Sequence, residues 1–160
     1  MNKNIKINLN NKNNYINGKI LDFNNFKILE EIIKKSNDNL KFSNFLINEI
    51  KENYNLVAII EEINVEEKDR NKGKGHELIE KFLKKSEEFC VDFIIVISDE
   101  DNSYYKSKIS NNDFSIRDFY EHFGFITIRK LSHNKDVLIY PSEVAEDLID
   151  VLKENKEKLF

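Results

Sequence analysis

The residues best suited to ligand chemistry lie in one short basic segment, Arg70 to Gly75. It holds two of the chain's four glycines, interleaved with the cations Arg70, Lys72 and Lys74. Glycine lets backbone N–H groups point inward, and a helix that begins here would add its unpaired amides and positive dipole end. Such a loop can hold a phosphate or pyrophosphate. The spacing fits neither GxxxxGK[ST] nor GxGxxG, and the alternative is a solvated basic turn.

The hydropathy pattern places this segment between a strand and a helix. Leu56 to Ile60 is continuously apolar and Glu61 to Val65 alternates, which predicts a buried strand that emerges toward solvent. Apolar residues at helical spacing then predict a helix to about Phe89. Cys90 to Ser98 predicts a second apolar strand, in which Cys90 is a small buried side chain. Strand, helix and strand with this connection length predict a parallel, right-handed crossover.

The flanking segments predict the rest of one α/β domain. Before the crossover we expect two strands, at 4–9 and 15–23, and two amphipathic helices; after it we expect a short helix capped by Ser115, a hairpin at 125–131 and 137–140, and a last helix with Val144, Leu148, Val151 and Leu152 inward. The expected fold is a mixed sheet flanked by helices, with an extra C-terminal helix. Residues 1–160 form a single domain in this prediction, with a divergent N-terminal segment (residues 1–54), a core (residues 55–141) and a C-terminal helix (residues 142–160).

Composition excludes several classes of protein. A net charge of −4 argues against general attraction to nucleic acid or anionic lipid. The single cysteine excludes a disulfide framework, and the three histidines lack metal-ligand spacing, so no metal is expected. Without an apolar run of roughly 20 residues or a signal peptide, the chain is expected to be soluble and cytoplasmic, with no membrane partner. The many asparagines are interpreted as A/T-rich codon usage, which is weak evidence for function.

Two motifs flank the predicted strand Cys90 to Ser98. The first is Val65-x4-Arg70-x2-Gly73-x-Gly75-x2-Leu78, and the second, FYEHFGF at 119–125, is a helix that ends in Tyr-x-x-x-Gly-Phe. In this order they resemble the acetyl-CoA-binding motif and the second motif of the GNAT superfamily of N-acyltransferases. The clear resemblance covers Leu56 to about Tyr140.

The resemblance implies an acetyl-CoA-dependent N-acetyltransferase. Acetyl-CoA would be the cosubstrate, with its pyrophosphate on the backbone amides of the basic loop and its pantetheine arm paired with the strand before that loop. The two parallel strands would splay apart to admit the thioester. Tyr120 would be the general acid that protonates the departing thiolate. The cofactor-binding residues that the resemblance implies are Ile63, Asn64, Val65, Arg70, Asn71, Lys72, Gly73, Lys74, Gly75 and His76.

An amine acceptor would also need a base to remove its proton. Glu61 is the favoured carboxylate, because family members often have an acid there and because simple alternation places it on the same face as Ile63 and Val65, with Glu62 opposite. Water or an acid after the second strand (Asp99, Glu100 or Asp101) is the alternative. For each of these acids, a solvated surface charge is the competing interpretation.

The predicted function is transfer of an acetyl group, by direct attack, to a primary amine of a cationic acceptor. Protein lysine, a protein N-terminus, a polyamine and an aminoglycoside-like molecule all remain open, and aminoacyl-tRNA is the one acceptor that contains nucleic acid. A homodimer is also left open. The alternative is a non-catalytic acyl-CoA-binding or protein-interaction module with the same fold.

Overall fold

The computed structural model describes residues 2–35, 40–99, 116–130 and 135–155. Within them, six strands form one sheet in the order β1-β2-β3-β4-β6-β5. The strands are β1 Asn2–Asn8, β2 Tyr15–Asp22, β3 Leu56–Asn64, β4 Phe93–Asp99, β5 Ile126–Lys130 and β6 Lys135–Tyr140. The described helices are α1 Phe26–Lys35, α2 Leu40–Asn53, α3 Lys74–Glu88, α4 Ile116–Phe123 and α5 Glu143–Glu154.

The sheet is mixed, as the sequence predicts. β3 and β4, the strands on either side of α3, pair in parallel, and the other neighbouring pairs are antiparallel. Asp92 holds the start of the parallel pair, because its carboxylate accepts from the N–H groups of Asn55 and Leu56 at 2.7 and 3.1 Å. The predicted α/β fold class with a helix-flanked sheet is confirmed.

Helices cover both faces of the sheet, and each face has its own apolar cluster. On one face, called the α1 face, α1, α2 and α5 pack against alternate strand residues such as Leu21, Val57 and Ile59. On the other, called the α3 face, α3 and α4 pack against Ile60, Val96 and other alternate residues. Alternation along the regular parts of each strand therefore assigns side chains to one face or the other, and it fails only where the register shifts.

Gly18 on β2 determines how closely α3 approaches the sheet. A Cβ at this position would lie 2.2 Å from the Ile59 carbonyl oxygen and 2.6 Å from the Phe82 ring, which is fully buried on α3. Only glycine leaves room for that ring. Because α3 follows the basic loop directly, this contact also positions the loop.

An ion-pair network joins α1 to α2. The Glu30 carboxylate lies 2.8 Å from the ammonium groups of both Lys34 and Lys51. Hydrogen bonds from these lysines lower the pKa of Glu30 from 4.5 to about 2. Since the folded-state pKa is the lower one, the network stabilises the fold fully above pH 4.5 and loses this contribution as the pH falls toward 2.

Two details of the helix ends differ from the sequence prediction. Cys90 is exposed rather than buried, because α3 ends in a turn with a Cys90 φ of 55° and β4 begins only at Phe93. Val144 is 45% exposed rather than inward, since Ala145 and Ile149 join Leu148 and Leu152 on the buried stripe of α5. Ser115 and the turn of the β5–β6 hairpin lie outside the described residues. Among the described helices, none is long and apolar enough to cross a membrane.

Candidate functional site

A gap between the parallel strands is the central feature of the candidate site. The last pair of the β3–β4 ladder is Ile60 with Val96. Both strands run on, but β3 then pairs only with β2 and β4 only with β6 within the described residues. The two strands therefore separate at their carboxyl ends, where ligands of open α/β sheets bind.

A β-bulge at Glu61 accompanies this separation. Asn17 of β2 pairs with Glu62 and the adjacent Gly18 pairs with Ile60, so that Glu61 is an extra residue on β3. A bulge bends its strand and increases the local twist. The bend begins where the β3–β4 ladder ends, and it offers a physical reason for the gap.

The bulge also overturns the predicted face of Glu61. Lys19, the ion-pair partner of Glu61, alternates along β2 with residues that face α3, so it lies on the α1 face. Ile63 and Val65 are buried on the α3 face, and simple alternation wrongly placed Glu61 with them. Glu62 also lies on the α1 face, because it accepts hydrogen bonds from side chains of β2 on that face.

The two adjacent carboxylates have different partners. Both Glu61 oxygens accept from the Lys19 ammonium, at 2.9 and 3.1 Å. Glu62 accepts from the Tyr15 hydroxyl at 2.8 Å and from the Asn17 amide at 3.4 Å. Two carboxylates therefore lie on the α1 face beside the gap, and the Lys19 ammonium pairs with that of Glu61.

The basic loop presents backbone amides at the start of α3. The first bond of the helix runs from the Glu77 N–H to the Gly73 oxygen at 3.0 Å, so the amides of Lys74, Gly75 and His76 precede the helical ladder. The N-cap residue of α3 is Gly73, which has a left-handed φ of 75° and no side chain to cap these amides. This is the arrangement expected of an anion site.

An asparagine-rich turn between β1 and β2 holds the segment that precedes the loop. Asn11 donates to Glu66 at 2.6 Å and to Asp69 at 2.9 Å, and Asn13 donates to Glu66 as well. Asn14 is 1% exposed; its amide donates to Asp69 at 2.8 Å and its oxygen accepts from the Glu66 N–H at 2.7 Å. Codon usage alone therefore does not account for these residues, and the sequence interpretation missed their role.

The same hydrogen bonds lower the pKa values of two carboxyl groups in this segment. Donation from Asn11 and Asn13 holds the pKa of Glu66 below its ordinary value, and donation from Asn11 and Asn14 does the same for Asp69. Because the folded-state pKa values are the lower ones, the turn stabilises the loop fully above pH 4.5 and less as the pH falls through them.

Replacement of Asn14 by alanine is expected to lower the free energy of unfolding by about 1–3 kcal/mol, because it removes two hydrogen bonds of a buried side chain. Urea denaturation at pH 7 measures the loss. The matched control is Asn10→Ala, an exposed residue of the same turn, which should change stability by less than about 0.5 kcal/mol. Equal stability of the two variants would contradict the proposed role of the turn.

Tyr120 lies on the α3 face, on the helix that covers the end of β4. It is 3% exposed and belongs to the same apolar cluster as Ile60 and Val96, the last pair before the gap. Its ring packs edge-on against Phe119 and Phe125, with centroids 5.4 and 5.2 Å apart. The phenol is therefore held in one position by neighbouring rings.

The Tyr-x-x-x-Gly-Phe motif forms the C-terminal cap of α4. Gly124 has a φ of 125°, its N–H donates to the Glu121 oxygen, and the Phe125 N–H donates to the Tyr120 oxygen, both at 3.0 Å. This is a Schellman motif with its usual apolar contact, here between Phe125 and Tyr120. The motif therefore has a structural reason independent of catalysis.

Contacts between helices bring the loop and the tyrosine to one side of the gap. His76 in the first turn of α3 packs on Phe123 of α4, with ring centroids 4.5 Å apart. Ile63 and Val65 are buried on the same face, whereas Asn64 donates to the backbone oxygen of Asn13 at 2.5 Å. The predicted cofactor residues thus lie in two runs, 63–65 at the end of β3 and 70–76 at the loop and the start of α3.

The alternative acids are only partly described. Asp99 is the last residue of β4, and Glu100 and Asp101 lie outside the described residues. Within the described ranges of the chain, no cluster of three or more histidine, cysteine or acidic side chains could hold a metal ion.

Comparison with known proteins identifies no matching family model, no similar curated sequence and no similar solved structure.

Proposed function

We propose that this chain is an N-acetyltransferase that moves an acetyl group from acetyl-CoA to a primary amine of a cationic acceptor. The observation on which the proposal depends is the gap after Ile60 and Val96, with the basic loop and its helix-start amides at one end and a buried tyrosine on one side. The resemblance of the two motifs to the GNAT superfamily supports the same activity.

The open edge of β3 suits the arm of the donor. After Ile60, the side of β3 that faces β4 has no partner strand among the described residues. The two amides of a pantetheine arm can hydrogen-bond to such an edge in the manner of an added strand. A donor bound there would place its pyrophosphate at Gly73 to His76, where the chain turns into α3.

The two faces of the sheet divide the proton transfers. Tyr120 on the α3 face would protonate the sulfur as the C–S bond breaks, while the amine forms the C–N bond at the carbonyl carbon. A carboxylate on the α1 face, Glu61 or Glu62, or else water, would take the proton that the amine loses. The negative charge on that face also favours a cationic acceptor.

One observation favours the second candidate, a non-catalytic acyl-CoA-binding module. The Lys19 ammonium contacts both oxygens of Glu61, so this carboxylate already has a cationic partner at the atoms that a catalytic base would offer to the amine. An assay of free-thiol release from acetyl-CoA decides between the two candidates. The acceptors to be tested are polyamines, peptides, aminoglycosides and aminoacyl-tRNA. Binding of CoA without thiol release with any acceptor would favour the module.

CoA is expected to raise the melting temperature by about 5–10 °C at a hundredfold excess over Kd, because it binds only the folded chain. Gly73→Val should abolish this shift. Beyond its chain neighbours, nothing lies within 4 Å of a Cβ at Gly73, so the change meets no steric clash there. The φ of 75° is strained for valine, and relief of that strain would move the backbone that presents the loop amides. Differential scanning fluorimetry measures both results.

The control for backbone strain in Gly73→Val is Cys90→Val. Cys90 also has a positive φ, 55°, but lies at the opposite end of α3 and is exposed. This variant should lose stability through the same strain yet keep the full CoA shift. A parent protein that responds to ATP or NAD and ignores CoA would disprove the proposed function.

A further inference from the structure

Ser98 is a polar residue in an otherwise apolar stretch of β4. It is 2% exposed, and within the described residues its hydroxyl makes no hydrogen bond. A buried hydroxyl without a partner lowers the stability of a fold. A ligand that supplies the missing partner would account for a serine at this position.

The position of Ser98 points to the gap. It lies two residues beyond Val96, where β4 has lost β3 as a neighbour, and alternation places both side chains on the α3 face. Tyr120 lies on this face as well, on a helix that packs against β4. The hydroxyl is thus on the side of the gap where the donor's sulfur is proposed to be protonated.

The neighbours of Ser98 define what it can bind. Asp136 is its partner across the β4–β6 ladder, is 1% exposed, and lies 3.9 Å from the Arg117 guanidinium of α4. A serine hydroxyl can donate one hydrogen bond and accept two. Because a carboxylate lies beside it, a ligand that offers an N–H is favoured over one that offers only oxygen acceptors.

We propose that Ser98 binds a secondary amide N–H in the pantetheine arm of the acyl donor. This inference rests on the proposed function, because acetyl-CoA supplies the arm. The donor's amide then satisfies a hydroxyl that has no partner in the described part of the free protein. Binding of the donor and stability of the free protein consequently place opposite demands on this residue.

The test compares Ser98→Ala with the parent in calorimetric titration with CoA and in thermal unfolding without ligand. Loss of one neutral hydrogen bond should raise the Kd for CoA about three- to tenfold. The melting temperature of the ligand-free variant should be equal to that of the parent or higher, because the unpaired hydroxyl is gone. The nucleotide half of CoA, which lacks the arm, should bind both proteins equally.

The matched control is Ser86→Ala. Ser86 is fully buried on α3, but its hydroxyl donates to the Phe82 oxygen at 2.9 Å. This variant should melt at a lower temperature than the parent and bind CoA with the parent's Kd.

Three results would overturn the inference. An unchanged Kd in Ser98→Ala would disprove it and leave the proposed function intact. A melting temperature lowered as in Ser86→Ala would show that the hydroxyl has a structural partner. A parent protein that does not bind CoA would overturn the proposed function together with this inference.

Discussion

Replacement of Tyr120 by phenylalanine is expected to lower kcat about 10²–10⁴-fold, the usual contribution of general-acid catalysis, with little change in the affinity for CoA. The variant should fold, because phenylalanine keeps the edge-on contacts with Phe119 and Phe125. Its peptide group also keeps the bond from the Phe125 N–H that caps α4. Steady-state thiol release at saturating acceptor measures the effect.

Tyr140→Phe is the matched control for this prediction. Tyr140 belongs to the same aromatic group, with ring centroids 5.2 Å from Phe125 and 6.1 Å from Phe123. It lies on β6 and has no assigned role in proton transfer, so its variant should keep the parent's kcat. If Tyr120→Phe also kept the parent's kcat, the motif would be a helix cap and nothing more, and the general-acid role would be abandoned.

Replacement of Gly18 by alanine is expected to lower the free energy of unfolding by at least about 3 kcal/mol or to prevent folding. Overpacking a core typically costs about 1–3 kcal/mol, and a clash with the backbone lies at the upper end of that range. One of the two close contacts of the added Cβ is the Ile59 backbone oxygen, which cannot move without breaking the β2–β3 ladder. Circular dichroism with urea denaturation measures the loss.

Lys19→Ala, at the next position on β2, is the control for Gly18→Ala. Its ion pair with Glu61 is partly exposed, with 26% and 34% of the two side chains accessible, so its removal should cost less than about 1 kcal/mol. If Gly18→Ala were as stable as Lys19→Ala, the close packing of Phe82 on β2 would not be what fixes the position of α3.

Much of the fold follows from patterns that the sequence shows directly. The apolar run from Leu56 to Ile60 and the helical spacing after Gly75 are enough to predict a parallel crossover, since few other arrangements bury both. The alternation in 4–9 and 15–23 likewise predicts the β1–β2 hairpin. These elements are determined by local periodicity, which tertiary contacts reinforce here.

The details that define the site depend on contacts distant in sequence. The bulge is visible only when β2 is aligned with β3, although two successive acids between Ile60 and Ile63 are a signal that alternation breaks there. The hydrogen-bond partners of the turn asparagines could not be predicted, nor could the lack of a partner for Ser98 among the described residues. Both depend on contacts distant in sequence, such as those of residue 14 with 66 and of 98 with 136. The function itself stays a prediction.

The bulge at Glu61 is not needed to bury the apolar side chains of β3, although it lies where the gap begins. If this one residue were absent, Glu62 would follow Ile60 on the α1 face, and Ile63 and Val65 would still face α3. The apolar pattern of β3 would then be satisfied by a regular strand, free to continue its ladder with β4. The core therefore does not demand the opening. A single extra residue on β3 coincides with it, so the length of β3 at this point matters to the site as well as the identity of its side chains.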